Sequence, residues 1–248
     1  MRSLVPLGMA HVLGNAVALW LSYYWLGIGE SRAAMLAWSA FVALLLLILL
    51  CAIHGTAFAF FSEADKRRVV PAARIALRNL MPLACAAVGV IIIYSLLALV
   101  GDYTSQPALK VASFLTLKLR TPVRPAYVMS AFGLTLLLVR WVVLPVLLVP
   151  LLGSVSTHGW RGFRSLGTHL PKWLYWIEAP VLVVLAVWVP FKLLGWVPQL
   201  KSFGLEVTSF TLRAAVAYLL FVAGLLALAF ATSAGNPRFT QSRTAVSP

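Results

Sequence analysis

Long runs of apolar residues dominate the chain, and short polar stretches separate them. A helix needs about 20 apolar residues to cross the hydrocarbon core of a bilayer, which is about 30 Å thick. By this measure the pattern predicts an all-α, polytopic integral membrane protein with about six transmembrane helices in one bundle. We assign residues 1–232 to this single domain and expect 233–248 to be a polar, disordered tail. The predicted spans are 5–27, 34–60, 80–101, 127–153, 172–197 and 208–232.

The composition supports the same class of protein. Hydrophobic residues make up 62% of the 248 residues and charged residues only 10%, whereas soluble domains are about 45–50% apolar and about 25% charged. The mean hydropathy is +0.95, and a globule of 27.0 kDa has too little interior to bury so much apolar surface. Soluble enzymes, disulfide-rich secreted domains, disordered proteins and ordinary DNA-binding domains are therefore excluded.

Two connecting segments carry patterns of their own. The 61–79 segment is basic, and its second half predicts a short amphipathic helix that begins at Pro71 and turns Ile75 and Leu77 towards lipid. In the longest connection, 102–126, the stretch FLTLKLR alternates apolar and polar residues like a strand. A lone strand cannot satisfy its own backbone at a membrane, so we expect an interfacial extended segment or a helix there.

Prolines and a faint internal repeat mark the later spans. Spans four and five are expected to bend near Pro145, Pro150, Pro180 and Pro190, because proline lacks the backbone donor that a helix needs. The strings LRNLMP (77–82) and LGTHLP (166–171) each end a basic loop and open a span. This similarity fits either a weakly duplicated helical hairpin or chance, and we favour chance because Leu and Pro are common in such chains.

The charge is strongly basic, with 20 Lys and Arg against 6 Asp and Glu. Most of the basic residues flank apolar runs, where they meet anionic lipid headgroups. No nucleic-acid-binding motif accompanies them, so the expected partners are the bilayer and other membrane-protein subunits, and nucleic acid is not expected. The candidate headgroup contacts are Lys66, Arg67, Arg68, Arg161, Arg164 and Lys172.

The distribution of Lys and Arg also predicts an orientation. Six spans place both ends of the chain on one side, which carries eleven basic residues, while the opposite side carries eight. The positive-inside rule therefore favours cytoplasmic termini. The compact loops and the lack of an organelle address favour a prokaryotic plasma (inner) membrane.

Charged and strongly polar side chains inside the spans are the candidates for function, because each is costly in hydrocarbon. Arg140 lies near the middle of span four and needs a carboxylate, several carbonyls or a water-filled cavity. Glu178 is the only acid inside a span and is a natural partner, although the two predicted depths differ by about seven residues, or about 10 Å. Arg140 could bind an anion or headgroup, or it could hold two helices together through an interhelical contact, and we favour the interhelical contact.

The remaining polar candidates are His11, Asn15 and His54. Gly8, His11 and Asn15 follow i, i+3, i+7 spacing, which puts them on one face suited to close helix packing. His11, His54 and Glu178 lie at a similar predicted depth, so they could form a metal or proton-relay site if their faces converged. No metal-ligand spacing supports this, and we predict packing residues with no metal and no cofactor.

Catalytic motifs are missing from the sequence, which has no Walker lysine, no GxSxG and no paired carboxylates at catalytic spacing. Cys51 and Cys85 both fall inside apolar runs and are expected to be small hydrophobic side chains. We favour a non-catalytic membrane component: a scaffold, an accessory subunit or a lipid-interacting protein. The alternatives are a permease-like transporter or transporter subunit with Arg140 and Glu178 lining a polar path, and an intramembrane lipid-modifying enzyme. A deep polar cavity joining these two residues would favour the permease, and a solid apolar bundle the non-catalytic component.

Overall fold

The computed structural model of the chain describes residues 4–29, 31–62, 68–165, 174–199 and 202–234. Within these ranges the regular structure is helical, without a β-strand. The α-helices in chain order are α1 (Leu4–Leu26), α2 (Ala33–Ser62), α3 (Val69–Arg78), α4 (Leu80–Asp102), α5 (Ser105–Leu119), α6 (Pro125–Leu138), α7 (Leu144–His158), α8 (Tyr175–Val183), α9 (Val189–Gly195) and α10 (Phe203–Ala234). Short π-helical turns, Val139–Val143 and Val184–Trp188, join α6 to α7 and α8 to α9, and a 3₁₀ turn, Gly159–Ser165, follows α7.

Six helical segments are long and apolar enough to cross a membrane, which confirms the predicted six-span, all-α fold. The limits predicted for five spans differ from these by at most five residues, while span four is 40 residues long. The predicted tail lies outside the described residues except for its first two positions. The segments, numbered as spans one to six, are Leu4–Leu26, Ala33–Ser62, Leu80–Asp102, Pro125–Arg164, Tyr175–Gly195 and Phe203–Ser233.

Span four continues past residue 153 because its polar residues bond within the helix. Ser156 donates from Oγ to the carbonyl of Gly153 at 2.7 Å, and Thr157 donates from Oγ1 to the same carbonyl at 3.2 Å. Hydroxyls used in this way let a polar stretch stay helical. The α-helix ends at His158, and the next residue, Gly159, has a φ of +60°, which is easily adopted only by a residue without a side chain.

The two non-spanning segments are both helical. Helix α3 begins at Val69, two residues before the predicted start, and Ile75 packs against buried apolar side chains rather than facing lipid, whereas Leu77 is exposed. The first six residues of the FLTLKLR stretch, 114–119, belong to α5, so of the two expected forms the chain takes the helical one. Ala108 and Ala112 are the buried residues of α5, and their spacing of four follows the helical period.

Close packing is concentrated at one end of the bundle, which we call the terminal end because α1 begins and α10 ends there. One apolar cluster joins Leu7 of α1, Phe60 of α2 and Ala229 of α10. Two further clusters include Val155, near the end of α7, and Tyr175, at the start of α8. At the opposite end the bundle is open: the buried residues of α4 lie only in its first two turns, and α6 has none.

π-Helical turns precede two of the four prolines at which bends were predicted. Each turn ends two residues before a proline, Pro145 in span four and Pro190 in span five. Leu144 donates its N–H to the carbonyl of Val139, and Val189 donates to that of Val184, five residues back in each case. Proline cannot supply the next donor, so the backbone takes the wider turn before it. Pro150 and Pro180 lie inside regular α-helix.

Candidate functional site

Arg140 lies in the π-helical turn of span four, and its side chain is exposed rather than enclosed in the bundle. The centre of its guanidinium is 5.7 Å from the centroid of the Trp141 ring, a cation–π distance. Its backbone carbonyl accepts a hydrogen bond of 3.0 Å from the hydroxyl of Tyr94 on α4. The main chain of Arg140 therefore ties span four to span three, while its charge points outside the packed interior.

The bond from Tyr94 follows from the position of Pro145. In the π-helical turn, the carbonyl of Arg140 would take its donor from residue 145, five residues on, and Pro145 has no N–H. A carbonyl without a partner is costly at hydrocarbon depth, and Tyr94 supplies the missing donor. The sequence shows Pro145, but it gives no sign that Tyr94 bonds to the Arg140 carbonyl, because nothing in the spacing relates residues 94 and 140.

Arg140 and Glu178 do not pair. Both residues lie in the described part of the chain, and no side-chain nitrogen–oxygen distance of 4.0 Å or less joins them. Span four packs on span five through a cluster that contains Val146 and Ala179. Glu178 is next to Ala179 and is exposed, whereas Arg140 precedes Val146 by six residues, a rise of about 9 Å. The Cα–Cβ bonds tilt towards the N-terminus of each helix, and in antiparallel spans this directs the two side chains apart.

The two intramembrane histidines do come together. The ring centroids of His11 on α1 and His54 on α2 are 5.7 Å apart, with the rings at 64° in an edge-to-face arrangement. His11 is 1% exposed and Asn15 is 2% exposed. Asn15 donates from Nδ2 to the backbone carbonyl of His11 at 2.9 Å. Among the described residues, His11 Nε2 has no hydrogen-bond partner.

No third metal-ligating side chain joins the histidine pair in the part of the chain that the structure describes. No group of three or more His, Cys, Asp or Glu side chains in the described ranges is placed to hold a metal ion, and Glu178 does not join the histidines. A further contact joins α1 to α10, because the hydroxyl of Tyr218 on α10 donates to the carbonyl of Val12. Asn15, His11 and His54 thus lie at the contact of spans one and two, where they contribute to packing.

A polar junction at the terminal end was not anticipated from the sequence. Asn79, between α3 and α4, donates from Nδ2 to the carbonyls of Ser156 at 3.0 Å and Thr157 at 3.1 Å, in the last turn of α7. A Cβ on Gly159 would lie 2.9 Å from Asn79 Oδ1, so glycine is needed for this approach. Asn79 lies in the LRNLMP string, but the spacing there gives no sign of a partner 77 residues away.

Beside this junction is a small polar cavity of about 30 Å³ between α2, α7 and α10. It is large enough for one or two water molecules. Its polar lining comes from hydroxyl groups and one imidazole: Ser62, Ser154, Thr157, His158, Thr232 and Ser233.

Half of the candidate headgroup contacts can be placed. Arg68, Arg161 and Arg164 are exposed at the terminal end, next to α3 and the 3₁₀ turn. Trp160 stacks on Phe163 in the same turn at 5.9 Å. Lys66, Arg67 and Lys172 lie outside the described residues, as does the second copy of the repeat string, 166–171.

At the open end there are two apolar grooves. One, of about 770 Å³, lies between α1 and α2 and is lined by aromatic residues such as Trp20, Tyr23 and Trp38. The other, of about 430 Å³, lies between α4, the start of α5 and α6, and includes Leu99, Val100, Phe132 and Leu136. Neither groove includes Arg140 or Glu178, so neither joins the two charges.

Comparison with known proteins gives no assignment: no protein-family model matches the chain, and no curated protein or solved structure is significantly similar to it.

Proposed function

We propose that this chain is a non-catalytic component of a membrane, acting as a scaffold or accessory subunit for other membrane proteins. The observation that supports this most is the outward position of Arg140 and Glu178 on separate parts of the bundle. A permease of the kind considered above needs both charges on one path through the protein. Charges on the outer surface instead meet lipid or the span of another protein.

Close contacts between the spans support the same proposal. Gly224 of α10 approaches Ala186 so closely that a Cβ on Gly224 would lie 2.5 Å from the Ala186 Cβ. At Gly55 of α2, an added Cβ would lie only 2.7 Å from the Leu83 side chain and 3.3 Å from the Ala76 Cβ. Small residues at such contacts let helix backbones approach closely, which suits a fixed assembly of spans better than an open path.

The test of this proposal is flux through the purified protein. The chain is reconstituted into vesicles, which are loaded with a mixture of ions, amino acids and sugars, and efflux is followed by mass spectrometry. We expect efflux equal to that from vesicles without protein. Saturable efflux of one solute that is lost in Arg140→Ala and Glu178→Ala variants of normal fold would contradict the proposal and support a transporter.

We further propose a prokaryotic plasma membrane with both termini in the cytoplasm. This rests on the excess of Lys and Arg on the terminal side of the chain, where Arg68, Arg161 and Arg164 are exposed. The test is a single cysteine at Thr121, between α5 and α6, in a variant without Cys51 and Cys85. We expect an impermeant maleimide to label it in intact cells, and labelling only after permeabilisation would reverse the orientation.

A further inference from the structure

We propose that Arg140 is a docking contact for the transmembrane helix of a different protein, which carries an Asp or Glu at the depth of Arg140. This inference rests on the proposed function, because it names the kind of partner that an accessory subunit would bind. Three observations support it: the depth of Arg140, the α4–α6 groove that ends one helical turn before it, and the positions of the acids in this chain.

The depth follows from Tyr94, whose hydroxyl contacts the carbonyl of Arg140. Tyr94 is eight residues before the end of α4 at Asp102, so Arg140 lies about 12 Å inside that end of the span. The Trp141 ring, 5.7 Å from the guanidinium, holds the charge near this level. A guanidinium at that depth remains charged and needs a counter-charge or several acceptors.

The described part of this chain supplies no counter-charge. Among the described residues no carboxylate lies within 4.0 Å of the Arg140 side chain. A second copy of the chain does not supply one either, because two-fold symmetry about the membrane normal keeps every residue at its own depth. Asp102 and Glu206 lie at the open ends of spans three and six, and Glu178 lies towards the terminal end of span five.

The position of the groove between α4 and α6 favours a protein partner over a lipid. Its apolar walls, formed by Leu99, Val100 and Phe132, lie nearer the membrane surface than Arg140 does. A phospholipid has the opposite order, with the charged headgroup at the surface and the apolar tails deeper. A transmembrane helix with one carboxylate inside its apolar stretch matches both the walls and the charge. Helix α6, which has no buried residue, offers the surface for that contact.

The experiment uses the full chain and a synthetic helix as the probe. The chain is reconstituted into phosphatidylcholine vesicles with a 23-residue Leu/Ala peptide that carries one Glu eight residues from its end, and binding is measured by resonance energy transfer. A second peptide carries Gln at the same position. We expect the Glu peptide to bind about threefold more tightly or better, since a polar contact between spans is worth about 0.6 to 1.7 kcal/mol.

Two variants make the result specific. Arg140→Leu is expected to remove the preference for Glu, and Arg140→Gln serves as a second variant if the first does not fold. Lys192→Leu is the matched control, because Lys192 is also an exposed cation beside an aromatic ring, 5.5 Å from the Trp188 centroid. It lies on α9 of span five, whereas Arg140 lies on span four, one helical turn beyond the groove residue Leu136. This variant should keep the full preference.

Three results would overturn the inference: equal binding of the two peptides, a preference that persists without Arg140, or a preference that disappears when phosphatidylglycerol is added. The last would mean that a lipid phosphate occupies Arg140. Each of these leaves the proposed non-catalytic function standing, because that proposal is tested separately by solute flux.

Discussion

The hydroxyl of Tyr94 in span three donates a hydrogen bond of 3.0 Å to the backbone carbonyl of Arg140 in span four. The acceptor is free because Pro145 removes the donor that the π-helical turn would otherwise provide. The same contact fixes the depth at which the Arg140 side chain leaves the bundle. One side-chain-to-backbone bond thus links a proline, a distorted turn and the charge proposed to bind a partner.

Replacing Tyr94 by Phe should lower the free energy of unfolding by about 1 kcal/mol, because a carbonyl inside the membrane loses its donor. In a Pro145→Ala background the loss should be smaller, since the substituted alanine restores a backbone N–H close to the Arg140 carbonyl. A double-mutant cycle on these two positions, measured by titrating detergent-solubilised protein with SDS, should give a coupling of about 0.5 kcal/mol or more. Tyr103→Phe, at the exposed end of the same helix, is the control. Additive effects of the two substitutions would refute the link.

Gly224→Ala should destabilise the protein by about 1–3 kcal/mol, because the new Cβ would overlap Ala186 in the π-helical turn of span five. Gly204→Ala, in the first turn of the same helix, meets no atom within 4 Å and should be neutral or slightly stabilising, since alanine favours a helix. The two unfolding free energies measured in the same detergent should therefore move in opposite directions. Equal effects would mean that α10 does not approach span five at Gly224.

Asn79→Ala should lower the free energy of unfolding by about 1–2 kcal/mol, because the carbonyls of Ser156 and Thr157 lose a shared donor at the end of α7. Asn79→Asp should be at least as harmful, since a carboxylate cannot donate to these carbonyls and is repelled by them. Thermal unfolding of the solubilised protein measures both variants. Gln106→Ala removes an exposed amide from α5 and should leave the unfolding temperature unchanged. A stable Asn79→Asp protein would argue against the junction.

His11→Leu should leave stability unchanged or raise it, although His11 is among the most buried side chains. The substitution removes Nε2, a buried nitrogen without a hydrogen-bond partner in the described structure, together with the hydrogen bond between the imidazole and the backbone of Leu7. It keeps the backbone carbonyl to which Asn15 donates. Replacing a buried, unsatisfied polar group by an apolar group of similar size is usually neutral or favourable. The unfolding free energy tests this. A loss of more than about 1 kcal/mol would show that His11 makes a polar contact that matters for folding.

The fold could be predicted because the property that defines a span, an apolar run of sufficient length, is local in sequence. The limits of Leu4–Leu26 and Leu80–Asp102 differ from the predicted ones by a single residue at each end or less. The helix of span four continues past the predicted limit of 153 because Ser156 and Thr157 donate to a carbonyl in their own helix, and such bonds have no counterpart in a hydropathy pattern.

The candidate sites could be predicted only in part, because they depend on which faces of the helices meet. The contact between the His11 and His54 rings was one of several arrangements that the sequence allowed. The pairing of Arg140 with Glu178 was a reasonable hypothesis from antiparallel neighbours, and it fails because both side chains lean away from each other along their helices. Tyr94 and Asn79 were missed, since each acts on a backbone carbonyl far along the chain and such acceptors carry no residue signature.

In the role proposed here, this chain is a subunit that binds another membrane protein through Arg140. The most direct test is mild solubilisation of the tagged protein at native expression, followed by sizing and identification of everything retained. We predict a stoichiometric complex whose partner has an Asp or Glu inside a span, and which is lost in Arg140→Leu but kept in Lys192→Leu. A lone monomer or a homo-oligomer in the wild type would contradict the account.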